Sequence, residues 1–193
     1  IDRNPTEQEE QLINLCMSTF RDGSGQEKDK NGVTRPGWRE LERVIAEMLG
    51  GDCPENKRIF DVIVGSKSEE NTFYGLSLKS KDLSSKFRKL DDGGRVYMEI
   101  ANSPAKYWTA LNSVGIKEED FRRQVDPDLV GNTIVNLVKQ WHKDFKVIFE
   151  EEVPGNILDL EKSVYLTLSY TLPTGKPPTY QIHSFPLDYP KNI

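Results

Sequence analysis

Cysteine is almost missing: the 193-residue chain has two, Cys16 and Cys53. One sits in an apolar helical pattern and the other in a Gly51-Asp52-Cys53-Pro54 turn. Two such unrelated thiols build neither a disulfide framework nor a zinc site. The expectation is a reducing, cytoplasmic setting. No apolar run approaches the roughly 18 residues of a membrane span, so no membrane partner is expected. The opening Ile1-Asp2-Arg3-Asn4 has neither a basic start nor an apolar stretch, so no secretory signal is visible, and a first residue other than methionine predicts trimming or a fragment. A basic excess is also lacking. Twenty-six Lys and Arg against 31 Asp and Glu leave a formal charge of −5. That argues against nonspecific coating of nucleic acid but leaves room for an enzyme that grips it through one local patch. Gly23-Ser24-Gly25 lacks the spacing and the lysine of a phosphate loop, so no nucleotide cofactor is expected.

What is present reads as a single mixed α/β domain over residues 1–193, with a core at roughly 36–145 and a C-terminal β extension at 146–193. Thr6 and Glu9 form a capping box, and Leu12, Leu15, Cys16 and Phe20 share one face of the helix behind it. Pro36 opens a second helix, whose stripe is Trp38, Leu41, Ile45, Met48 and Leu49 and whose stop is Gly50-Gly51. Glu42 lies beside that stripe. Ile59 to Val64 is a short apolar run that reads as a buried strand interrupted by Asp61. Phe73 to Lys79 reads as the next strand, with Leu76 and Leu78 on one face and Ser77 and Lys79 on the other. Arg95 to Ile100 is strand-like. Ser103-Pro104 and Asp126-Pro127 are helix starts, the second opening an apolar face of Val130, Ile134, Leu137, Val138 and Trp141. Val164 to Tyr170 and Tyr180 to Phe185 alternate and form a hairpin across Pro173-Thr174-Gly175-Lys176-Pro177.

Asp61, Ser77 and Lys79 stand where apolar residues are expected. A buried carboxylate is costly unless paired, hydrogen-bonded or bound to metal. A structural ion pair between adjacent strands is one reading. The other is metal-assisted hydrolysis of a phosphodiester, with Asp61 and the Leu78 carbonyl as hard oxygen ligands for Mg²⁺ (or Mn²⁺) and Lys79 at the attacking water. His142 reads as a surface histidine favoured by a helix C-terminus. Trp108 and Trp141 read as core.

The series Gly37-Trp38-Arg39-Glu40-Leu41-Glu42, Ile59-Phe60-Asp61 and Tyr74-Gly75-Leu76-Ser77-Leu78-Lys79 resembles the core of the PD-(D/E)xK nuclease superfamily. The resemblance covers roughly residues 36 to 108. It implies a restriction-endonuclease-like fold, a mixed central β-sheet flanked by helices, that cuts DNA with Mg²⁺. Phe60 replaces the common proline, and Ser77 stands in the slot of the second acid. The sequence is most similar to the restriction enzymes with serine-x-lysine on the strand, which draw the missing carboxylate from downstream. Glu99 is the candidate, with Asp91 or Asp92 as substitutes. The resemblance thus implies Asp61 and Glu99 on metal, Lys79 at the water, Ser77 placing the lysine or a metal-bound water, and Glu42 in support. Lys81, Lys86, Arg88, Lys89 and Arg95 form the local basic patch for double-stranded DNA, and a homodimer would supply one centre per strand. A non-catalytic DNA-binding or interaction module on the same fold is the rival expectation, and a repair nuclease or resolvase is a third.

Overall fold

The computed structural model describes residues 6–18, 27–28, 34–35, 38–54, 59–83, 104–171, 179–187 and 189. Two compact units emerge, one formed by 1–99 with 156–187 and the other by 100–155 with 188–193.

The first unit opens with α1 (Glu7–Ser18). Its start follows the capping box: the Glu9 N–H donates to Thr6 Oγ1, and the Thr6 N–H donates to Glu9 Oε2 at 2.8 Å. The buried face is offset from the expected one. Ile13 is in the core while Leu12 is 46% exposed; the Leu15 and Cys16 side chains and all of Phe20 lie outside what is described. Short strands β1 (Glu27–Lys28) and β2 (Thr34–Arg35) pair antiparallel. Helix α2 (Trp38–Leu49) buries Leu41, Ile45 and Ala46, and Gly50 leaves it with φ +64°, the left-handed conformation that ends helices.

The sheet contains β3 (Gly51–Asp52), β4 (Val62–Gly65), β5 (Thr72–Asp82), β6 (Ile157–Leu158), β7 (Val164–Thr171) and β8 (Thr179–Pro186). Its order is β3-β4-β5-β7-β8, with β6 also on β5. β5 runs parallel to β6 and β7, and the other pairings are antiparallel. The sheet is therefore mixed. The expected hairpin forms as β7 and β8, but it is no appendage, because β7 pairs with β5 over seven register positions from Leu76↔Val164 to Asp82↔Tyr170. One face of the sheet, with Val62, Val64, Leu76, Leu78, Leu166, Leu168 and Ile182, packs with Ile13, Leu41 and Ile45 as the core.

The second unit holds α3 (Pro104–Ser113), α4 (Glu118–Arg122) and α5 (Pro127–Glu152). Asp126 caps α5 by accepting from the Leu129 N–H at 3.0 Å. Trp108 meets Phe121 edge-on, and Tyr107 meets Trp141 in the same manner. The boundary expected at residue 145 falls inside α5. His142 likewise stands inside α5 and not at a helix end: ten residues of helix follow it, and it is buried at 2% exposure, not on the surface. Among the described residues, no helix is long and apolar enough to cross a membrane.

Candidate functional site

Asp61 immediately precedes β4, at the point where β5 outruns its neighbour. Its own N–H still completes the ladder, donating to the Leu76 carbonyl at 2.9 Å. The next amide on that edge of β5, Leu78 N–H, has no strand residue opposite it in the β4 register, and the Asp61 carboxylate takes the place of one: Oδ2 accepts from Leu78 N at 2.6 Å. A ladder amide thus fixes the carboxylate. The Leu78 carbonyl faces the same edge, since a strand residue sends its N–H and C=O to one side.

Lys79 follows on the opposite pleat to Leu78. Its Nζ lies 3.7 Å from Asp61 Oδ2, with side-chain exposures of 16% for Lys79 and 21% for Asp61. Ser77, 1% exposed, also hydrogen-bonds the carboxylate. Burial holds the Asp61 pKa above the ordinary aspartate value; Lys79, the Leu78 amide and the Ser77 hydroxyl pull it back only in part. The ionised carboxylate is therefore costly to the fold above its raised pKa; that cost is relieved as pH falls through the raised pKa and is gone below the unfolded value. A cation at Asp61 would relieve it at neutral pH.

Two neighbours shape the site and have little signature in sequence. The Phe60 ring lies flat against Gly75: a Cβ on Gly75 would stand 2.3 Å from Phe60 Cγ. A glycine inside a strand signals such a close approach. Ser163, fully buried, accepts from the Gly75 N–H at 2.8 Å and donates to the Asp159 carbonyl at 2.7 Å, which anchors the entry to β7 beside β5. No sequence signal marks Ser163.

Asp61, Ser77, Leu78 and Lys79 come together as expected. Glu42 sits on α2, which packs on the opposite face of the sheet through Leu41 and Ile45, and it accepts from the Cys53 thiol at 3.8 Å. Burial, and then the Glu42 charge, raise the Cys53 pKa and keep the thiol protonated. Lys81 lies on β5, two residues beyond Lys79 and on the same face. Glu99, Asp91, Asp92, Lys86, Arg88, Lys89 and Arg95 lie outside the described residues, as does the strand expected at Arg95 to Ile100.

The donor set fits a hard divalent cation in its minimal form. One fixed carboxylate and one main-chain carbonyl face a common edge, and Mg²⁺ takes one or two carboxylates while keeping water and phosphate oxygens for the rest. Among the described residues no group of three ligating side chains forms. The chain matches no family model, no curated protein and no solved structure.

Proposed function

We propose that the protein is a Mg²⁺-dependent endonuclease that hydrolyses phosphodiester bonds of double-stranded DNA, of restriction type and acting as a homodimer. The observation that carries this reading is the Asp61–Lys79 pair, an acid held by a ladder amide and an amine 3.7 Å away, both partly open to solvent. An ion pair serving stability alone gains little from keeping a desolvated carboxylate whose pKa is raised despite its partner.

In this reading Asp61 and the Leu78 carbonyl hold the cation, with Glu99 as the second carboxylate. When bound, Mg²⁺ polarises the phosphoryl oxygen and lowers the pKa of its water. Leu78 N–H keeps Asp61 oriented. Lys79 positions the attacking water and offsets charge that develops on the phosphoryl oxygens. Ser77 holds the carboxylate from the buried side. Lys81, with Lys86, Arg88, Lys89 and Arg95, contacts backbone phosphates, which positions the duplex without reading it.

Incubation with supercoiled plasmid tests the reading. Nicked and linear products with Mg²⁺, none with chelator, and discrete mapped ends are expected. A metal-independent mobility shift with intact plasmid would instead identify a DNA-binding module. Ends that depend on branch or flap structure would identify a repair nuclease or resolvase.

A further inference from the structure

The face of the sheet that carries Ser77 and Lys79 continues across β7 to β8. Register aligns three rows on it: Ser77–Tyr165–Phe185, Lys79–Thr167–His183 and Lys81–Ser169–Gln181. Neighbouring strands lie about 4.8 Å apart, so His183 stands about 10 Å from Lys79 along its row. The face is exposed at β8. Ser77 and Thr167 are buried and Tyr165 and Ser169 half-buried, while Gln181 and His183 are exposed and Phe185 is 52% exposed. His183 and Phe185 sit side by side, with ring centroids 6.4 Å apart and planes 44° from parallel.

An exposed phenylalanine alone means little. This one belongs to a row that begins at the acid–amine centre. Its neighbours are the His183 imidazole along β8 and Tyr165 across the row, with two lysines inboard on the same face. A flat aromatic ring exposed on a sheet face that also carries lysines suits unpaired bases, because every base has a stacking face while the lysines meet phosphates. A protein partner would call for a broader apolar patch than one ring among polar groups. Bases within a continuous duplex keep their faces covered by stacking.

We infer that the β7–β8 face holds unpaired nucleotides of the strand whose phosphate enters the Asp61–Lys79 centre, with Phe185 as the stacking platform and His183 beside it. The choice of ligand rests on the nuclease reading. The substrate is thereby narrowed to duplex DNA whose bases next to the cut are opened on binding.

Fluorescence anisotropy with labelled oligothymidylate and with a labelled short duplex, both in chelator, tests this without catalysis. Phe185→Ala is expected to weaken oligothymidylate binding about 5- to 150-fold, the range for loss of one stacked base. Phe185→Trp is expected to keep it, and duplex binding is expected to change less than twofold, roughly the scatter of a surface substitution. The slope of affinity against salt should not move, since no charge is removed. Unchanged oligothymidylate affinity in Phe185→Ala, equal loss for both ligands, or no binding of oligothymidylate by the unaltered protein would overturn the inference. The two readings fail separately. A protein that binds through Phe185 but leaves plasmid intact with Mg²⁺ keeps this surface and loses the nuclease. One that cuts plasmid while Phe185→Ala binds normally does the reverse.

Discussion

Asp61 and His142 are both ionisable side chains drawn out of water, and the molecule treats them in opposite ways. Asp61 lies at a strand end, with an ammonium 3.7 Å away and an opening to solvent. His142 lies in the middle of a 26-residue helix, 2% exposed, with its Nδ1 against the Tyr189 hydroxyl and Lys139 over the Tyr189 ring. Burial raises the pKa of the acid and lowers that of the histidine, to about 4. The histidine accepts neutrality and becomes part of the scaffold. The acid keeps a cationic partner and access to water, which is what the proposed cation site would need.

The sharpest way to break this contrast is to remove the amine. Lys79→Ala is expected to lower cleavage by at least about 10²-fold, the scale of losing one charged group that stabilises a phosphoryl transition state, while the fold and most DNA affinity persist. Plasmid cleavage beside circular dichroism and a mobility shift checks this, and retained turnover would remove Lys79 from the mechanism. Glu99→Ala is expected to lose cleavage as Asp61→Ala does in the same assay. Near-normal turnover would move the second carboxylate to Asp91 or Asp92.

On the scaffold side, His142 predicts acid sensitivity. With its pKa lowered, the folded protein forgoes a proton that the unfolded chain takes up. Stability from this group is intact above about 6.5 and is lost as pH falls toward 4. That interval amounts to about 3 kcal/mol at 1.36 kcal/mol per pH unit. Urea unfolding across it should show the slope, and His142→Gln should flatten it; equal slopes in both proteins would assign the acid sensitivity elsewhere. The smallest effect is expected at Gly75→Ala, whose methyl would meet the Phe60 ring and cost about 1–3 kcal/mol of stability through overpacking. Phe60→Leu in the same chain should recover part of that loss in thermal unfolding, and additive losses would argue against the clash.

Much of this was legible in sequence where the signal is local. Caps at Thr6 and Asp126, the glycine stop at Gly50 and the alternation of Leu76, Ser77, Leu78 and Lys79 follow from neighbours within a few residues. The union of Asp61 with Lys79 was legible for the same reason, since one short loop joins their strands. What sequence hid is long-range. Nothing in Val164 to Tyr170 says that it will lie parallel to β5, which is more than eighty residues away in the chain. Ser163 is one serine among many until its hydroxyl is seen on Gly75 N–H. His142 looked terminal because Lys143 and Asp144 follow it. The helix continues because Phe145 and Phe149 carry its buried face one and two turns further.

Calorimetric titration of Mn²⁺ into the unaltered protein and into Asp61→Asn, without DNA, decides whether Asp61 holds a divalent cation. A saturable site is expected in the former and is lost or at least about tenfold weaker in the latter, as when a cation loses its fixed carboxylate. Equal Mn²⁺ binding by both proteins, or none by either, would contradict a divalent cation site at Asp61.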